Sequence, residues 1–420
     1  MTTEIEKAVL RKVAWRFLPL LIVAYIVNYL DRTSLGVAAL TMNNDLHLTA
    51  SEFGYAAGIF FVGYCLFEVP SNLALYRYGA KFWLTRIIIT WGIVSASTAW
   101  VSGPVSFYLV RFLLGVAEAG FFPGVAYFLS CWFPKAYRAR ILAWFLLAIP
   151  ASSLIGTPIA GWLLDLNGVG GLAGWKWMFV LVSLPAIALG CIFPMVLANS
   201  PRDATWLTKA ERTTLEAILA GESKTTHKSR FSEALRDPRV LILAATQFGL
   251  IVGSYGIGVW LPQIVREHIR DNHLIALVST VPYLFATFGP IIWAAWSDKT
   301  DSKIGNVVAG CTLSAAGLLL SLYNSSLLVS MLGITLALLG INAARAIFWA
   351  IPPRFLTGAA AAGGFAFINS VGTIGGLVGP AMIGVLKDWQ GTFTAGLLGM
   401  AVFLTLSAML AASLKLMPQS

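Results

Sequence analysis

The sequence predicts an all-α membrane protein, with twelve transmembrane helices in two pseudo-symmetric six-helix bundles around a central cavity. Three observations predict it. The 420-residue chain is 58% hydrophobic and only 11% charged, with a mean hydropathy of +0.77, whereas soluble domains carry about 25% charged residues. Its apolar residues fall in runs of about 20, the length that crosses a bilayer as helix. One polar stretch divides those runs six and six.

The runs lie at about 17–38, 53–76, 82–101, 104–132, 138–164 and 175–198, then 239–264, 273–296, 304–322, 326–350, 360–386 and 392–414. Ahead of them, Glu4 to Arg16 is a charged amphipathic lead. With so many spans behind it, no cleaved secretory signal is expected. From Asn199 to Asp237 the chain is polar and includes Glu211, Arg212, Glu216, Lys224, Lys228 and Arg230. The organisation is therefore a bundle over 1–198, a cytoplasmic linker over 199–238 and a bundle over 239–420. The bundles echo each other weakly. Arg77-Tyr78-Gly79-Ala80-Lys81 follows the second span, and Asp298-Lys299 follows the eighth, the symmetry expected of paired six-helix units.

Lysine and arginine set the orientation. With both termini cytoplasmic, 22 of the 29 basic residues lie in cytoplasmic segments. Lys176, Arg266, Arg270 and Lys387 lie outside, and Arg32, Arg111 and Arg345 fall within spans. This placement accounts for the net charge of +10 as topology plus attraction to anionic lipid, without a nucleic-acid partner. Cys65, Cys131, Cys191 and Cys311 sit in or beside apolar runs and read as small buried hydrophobes, not disulfides. His47, His227, His268 and His273 lack ligand spacing, so neither a metal nor another cofactor is expected.

An ionisable group inside a span costs roughly 2.5–3.5 kcal/mol on insertion scales and marks a functional site by default. Tyr29-Leu30-Asp31-Arg32 puts an acid and a guanidinium side by side in the first span. Arg111 and Glu118, with Gly115 between them, share one helix face in the fourth. Asp31 and Glu118 are the proton candidates. A carboxyl alternating between wet and dry, paired and unpaired surroundings takes up and releases a proton. The structural alternative is a permanent ion pair, Arg111 with Glu118 or Arg32 with Asp31. Arg32 and Arg111 are the anion candidates, because a guanidinium fork matches a carboxylate with two hydrogen bonds. Arg32 is expected to touch substrate and Arg111 to couple to Glu118. Arg345 is a third cation, either gate or packing. Tyr29 and Tyr64 offer hydroxyls to the cavity, and Gln263, beside Pro262, reads as gate or lip. Glu68 reads as a structural partner for an arginine such as Arg138. Gly372, Gly375, Gly376 and Gly379 form a small-residue face for close helix contact.

The ordered set of motifs resembles the major facilitator superfamily and, within it, the anion:cation symporter family, which includes bacterial galactonate, hexuronate, tartrate and phthalate carriers. Tyr29-Leu30-Asp31-Arg32-Thr33 is similar to that family's first-span signature, and Phe67-Glu68-Val69-Pro70-Ser71-Asn72 to its second-span end. Arg111 to Pro123 is similar to its fourth span, and Trp132-Phe133-Pro134 with Arg138 and Arg140 to the next loop. Gly174-Trp175-Lys176-Trp177, Trp260-Leu261-Pro262-Gln263, Phe348-Trp349-Ala350-Ile351-Pro352 and Asn369-Ser370-Val371-Gly372 carry the likeness through spans 6, 7, 10 and 11. The resemblance implies that Asp31 and Glu118 carry the coupling proton and that Trp349 and Asn369 line the opposite cavity wall. It also implies that Arg77, Gly79, Lys81, Asp298, Lys299 and Arg138 belong to gating loops. The chain departs from the pattern at Tyr76 (for aspartate), Asn72 (for glycine), Ser34 (for asparagine) and Ala346 (for serine). These changes imply a weaker loop latch and one substrate-hydroxyl contact fewer.

The expected function is proton-coupled import of a small organic carboxylate by alternating access. A sugar acid, a tartrate-like hydroxy acid and an aromatic acid all fit, and the expected setting is a monomer in a bacterial cytoplasmic (inner) membrane. A proton-coupled exporter of drugs or metabolites is the rival. A membrane sensor needs an appended soluble module, an enzyme needs a nucleophile or metal constellation, and a channel needs a ring of like charge; none is readable in the sequence.

Overall fold

Lipid offers no partner to backbone N–H and C=O groups, so each apolar run satisfies its own as helix. The computed structural model describes residues 4–146, 148–220, 237–300, 302–323, 326–356 and 358–417. The first six spans are built from α1 (Glu4–Asp45), α2 (Ala50–Tyr78), α3 (Ala80–Ser97), α4 (Pro104–Glu118) with α5 (Phe121–Trp132), α6 (Lys135–Leu146) leading into α7 (Ala148–Leu164), and α8 (Gly174–Val196). After α9 (Lys209–Ala220), the last six are α10 (Pro238–Arg266), α11 (Asn272–Thr300), α12 (Lys303–Ser321), α13 (Leu327–Phe348), α14 (Gly358–Gln390) and α15 (Thr394–Ser413). Among the described residues, twelve segments are long and apolar enough to cross a membrane, in register with the twelve runs.

Two differences from the sequence expectation stand out. The run 104–132, expected as one helix, is broken between Glu118 and Phe121. Part of the stretch expected as a plain linker is a docked helix. Trp206 stacks on Trp132 at 5.9 Å and meets Phe17 edge-on, and Arg16 lies 4.9 Å above its ring. Lys12 Nζ donates to both oxygens of Glu211, at 2.9 and 2.8 Å, while Ala204, Leu207 and Leu215 are buried in the core of the first six spans. The segment 204–220, which ends in amphipathic α9, thus covers an apolar surface near the start of α1. Lys224, Lys228 and Arg230 lie outside the described residues.

Small residues let the two sets of spans meet. Gly376 of α14 abuts the Phe61 ring of α2, while Gly375 and Gly379 seat α14 against the main chain of α10 within the last six spans. Gly54 and Gly58 bring α2 against the backbone of α14 at Pro380 and Leu377. Gly36 admits the carbonyls of Gly258 and Val259 in α10. Further out, Phe53 meets Trp260 edge-on at 5.2 Å, and the Ala50 and Ser51 amides donate to the Asp388 carboxylate. Arg266 donates to the Leu40 carbonyl, and Trp162 Nε1 donates to His273 Nε2 at 3.1 Å. These contacts between the two sets lie in the half of the bundle away from the termini. The functional cluster sits just beneath them.

Candidate functional site

The cluster forms where α1 to α4 meet α10. Arg32 Nε and Nη2 both donate to Glu118 Oε2, at 3.1 and 2.7 Å, and Nη1 donates to Tyr255 Oη at 3.2 Å. Asn28, one turn earlier on α1, donates Nδ2 to the same Glu118 oxygen at 2.8 Å. The guanidinium is enclosed by the rings of Phe60, Tyr29 and Tyr64, at 4.8, 4.9 and 5.7 Å. Aromatic faces favour a cation, so Tyr29 and Tyr64 meet Arg32 through their rings. Asp31 turns the other way and accepts from Ser95 Oγ of α3 at 2.5 Å.

Glu118 owes its position to the break. Ala119 is extended (ψ 131°) and Gly120 is left-handed (φ 84°), so α4 stops at Glu118 and α5 starts anew. L side chains avoid that φ, and a Cβ at Gly120 would also press on Ser71. The seven-residue spacing survives to the end of α4, so Arg111 and Glu118 are both buried, at 3% and 0% exposure. They nonetheless form no ion pair with each other. Glu118 is taken by Arg32 and Asn28, and neither foreseen ion pair forms. The physical reason is close approach: Gly115 packs against the Phe60 carbonyl, which brings the Phe60 ring to 5.2 Å from the Arg111 guanidinium. Arg111 makes no ion pair with Asp31 or Glu118, and its buried Nε lacks a hydrogen-bond partner. Asp31 Oδ2 and Glu118 Oε1 are likewise buried and unpartnered. Each acid thus keeps one oxygen without a hydrogen bond.

In the last six spans, Arg345 Nη1 donates to Ser254 Oγ at 3.4 Å, and Tyr255 packs edge-on against Phe61 at 4.5 Å. Gln263 stays out of the cluster. It lies eight residues beyond Tyr255 on α10, about 12 Å along the axis, with its Nε2 buried and unpartnered. Trp349 caps α13 and stacks on Phe365 at 5.4 Å, and Asn369 is half-buried on α14. Neither hydrogen-bonds to the four charges of the first six spans.

The loop residues lie at the terminus end. Gly79 joins α2 to α3 with φ 87°, and a Cβ there would meet the Asn199 side chain. The Lys81 amide donates to Asn199 Oδ1 at 2.9 Å, and Arg77 lies over the Tyr78 ring at 5.6 Å. Asp298 pairs with Lys303, and Lys299 is exposed. Arg138, read as a partner for Glu68, donates to the carbonyls of Phe133 and Ser130 at 2.7 and 2.9 Å, closing the end of α5. Ser34 bonds back to the Leu30 carbonyl at 2.7 Å. Sequence reasoning missed Asn28, Ser95, Ser254 and Tyr255. Asn28 alone carried a signal, standing four residues before Arg32 and so on its face.

A family model described as Major Facilitator Superfamily matches residues 21–380. A protein of Agrobacterium vitis named as a candidate tartrate transporter is 44% identical, covering 98% of this chain and 92% of the relative. A quinolone resistance transporter of Acinetobacter baumannii is 39% identical over 94% of this chain and 92% of its own length. Among solved structures, a bacterial homologue of the human lysosomal transporter Spinster, inward-facing and unoccupied, superposes with a TM-score of 0.78 at 17% identity, covering 98% of this chain and 97% of that one.

Proposed function

We propose that this chain, which belongs to the major facilitator superfamily, imports a small organic carboxylate together with protons across a bacterial inner membrane. As a family member it is a multi-pass membrane transporter and not an enzyme. The observation that carries the finer reading is the shared grip on Arg32: Glu118 Oε2 occupies the Nε–Nη2 edge of the guanidinium, the edge a substrate carboxylate would use. Substrate and Glu118 therefore compete for one fork, and protonation of Glu118 decides the winner. Asp31, held by Ser95 with its second oxygen free, is the second proton site.

The cycle follows from that competition. Residues 1–198 and 239–420 rock as two bodies about the cluster. With both termini cytoplasmic, the contacts between them lie on the outer side, so this conformation faces inward. When the outer side opens, protons neutralise Glu118 and Asp31, and the anion takes Arg32. When the inner side opens, the protons leave, Glu118 reclaims Arg32 and the anion is displaced. Each proton moved through 100 mV supplies about 2.3 kcal/mol, which offsets carrying an anion into a negative interior. The tartrate-named relative supports a carboxylate cargo.

Proteoliposome uptake tests the reading. A labelled carboxylate panel under an inward proton gradient is expected to show accumulation that Glu118→Gln abolishes while counterflow persists. Full accumulation by the variant removes the coupling role. The quinolone-resistance relative favours a second reading, drug export. Broad loss of drug sensitivity in expressing cells, with no carboxylate uptake, would favour it over import.

A further inference from the structure

We infer that Glu68 is the inner proton-release site: it takes the proton that leaves Glu118 and hands it to the cytosol. This rests on the proton-coupled reading above and adds a residue that the cycle has not used. Position singles Glu68 out. Exposed Leu66 and Val69, at 61% and 65%, mark the lipid side of α2. At about 100° per residue, Glu68 lies roughly 160° and 100° round the helix from them. It lies within about 40° of Phe61 and Tyr64, whose rings meet Tyr255 at 4.5 Å and approach the Arg32 guanidinium to 5.7 Å. Glu68 therefore shares the face that meets the cluster, one turn nearer the terminus end than Tyr64.

Close packing brings it level with Glu118. Gly115 packs against the Phe60 carbonyl and the Tyr64 amide, and Gly120 against Ser71. Helices α2 and α4 run in the same direction, so Glu118, between those glycines, falls level with Glu68. Straight down the first six spans the way is apolar. Glu118 is 0% exposed, and beyond it Phe121, Phe128 and Trp132 pack with Phe17, Tyr25 and Phe145 in one core. Glu68 is half-buried, and Asn72 Nδ2 donates to its main-chain carbonyl at 2.9 Å. Among the described residues its carboxylate has neither an ion-pair nor a hydrogen-bond partner. An acid kept inside a span without a counter-charge is costly and marks a use.

The helices packed closely against α2 are α1, α3, α4, α5 and α14. Inside the membrane, α1 brings Asp31 and Arg32, and α4 brings Arg111 and Glu118, all in the cluster. Arg86 of α3 lies over the Trp83 ring at 4.5 Å. Along α5, and along α14 short of Lys387, there is no Asp, Glu, Lys, Arg or His. The transfer balances. The protonated Glu118 gives its proton towards the Glu68 carboxylate and returns, ionised, to Arg32. Neutral Glu68 then loses the same proton to cytosolic water and ends as it began.

The test compares Glu68→Gln and Glu68→Asp with wild type in proteoliposomes. In Glu68→Gln, proton-driven uptake of a carboxylate is expected to fall about tenfold or more. Calorimetric affinity and counterflow, which need no net proton release, are expected to stay within about twofold of wild type. Glu68→Asp, which keeps the acid, is expected to recover most of the uptake, and formate trapped inside the vesicles to recover part of it in Glu68→Gln. Wild-type uptake by Glu68→Gln at every internal pH overturns the inference. So does a loss of counterflow and affinity as large as the loss of uptake, which would make Glu68 a structural or binding residue. If Glu118→Gln abolishes accumulation while Glu68→Gln does not, the coupled reading stands and this inference falls. If wild type shows no proton-driven uptake of any carboxylate, both fall.

Discussion

The first six spans and the last six carry opposite chemistry at mid-membrane. The first six place three acids inside spans, Asp31, Glu68 and Glu118, beside Arg32 and Arg111. In the last six, Glu267, Asp271, Asp298, Asp301 and Asp388 all fall at span ends or between spans, and the interior offers Arg345 with the hydroxyls of Ser254 and Tyr255. Buried acids are expensive and persist where protonation is used. On the proposed import cycle, proton traffic belongs to the first six spans and the last six contribute a contact to the anion. Arg32 joins the two, bonded to Glu118 on one side and Tyr255 on the other.

Substitutions can break or sharpen that contrast. Glu118→Gln has the largest expected effect: proton-driven accumulation is abolished, whereas acid removal at a span end such as Asp271→Asn leaves it in place. Uptake in vesicles with an imposed pH gradient checks both. Arg32→Lys loses the planar fork and its charged hydrogen bonds, worth about 1.5–3 kcal/mol, so substrate affinity falls roughly 10- to 100-fold by calorimetry. Unchanged affinity would take Arg32 out of the site. Tyr255→Phe removes one hydroxyl contact across the interface, worth about 0.5–1.5 kcal/mol, and is expected to shift affinity by only about 2- to 10-fold. An effect as large as that of Arg32→Lys would make the last six spans the main anion site.

The smallest effect lies outside the membrane, where α9 is tied to the first six spans. The Lys12 ammonium and the Thr208 cap hold the Glu211 carboxyl below its ordinary range. A depressed carboxyl contributes stability that is present above its ordinary pKa and lost as the pH falls through the lowered value. Acidification below the usual glutamate range, or Glu211→Gln at neutral pH, is therefore expected to lower Tm by on the order of 1 °C. Thermal melts of the variant across that range check the sign.

Much of the architecture was legible because lipid imposes a simple rule. Runs such as 239–264 and 392–414 had to be helices, and the isolated charges at Asp31, Arg32, Arg111 and Glu118 had to be special. The pairing was not legible. Seven-residue spacing suggested Arg111 with Glu118, but spacing along one helix says nothing of what a second helix brings. Asn28 and Arg32 on α1 reach Glu118 first. The break in span 4 was hidden in Glu118-Ala119-Gly120-Phe121, since glycine is common in membrane helices and its left-handed φ shows only in the fold. Ser95, Ser254 and Tyr255 were invisible because most span hydroxyls merely bond back to their own helix, as Ser34 and Thr246 do.

In the proposed cycle the cargo's carboxylate and Glu118 compete for Arg32, with a proton as the arbiter. Calorimetry with the tightest-binding carboxylate, run in buffers of different ionisation enthalpy, counts the protons taken up on binding. Net proton uptake in the wild type that shrinks in Glu118→Gln is the predicted result. Binding of the anion with no proton uptake in the wild type, at any pH where it binds, would contradict the account.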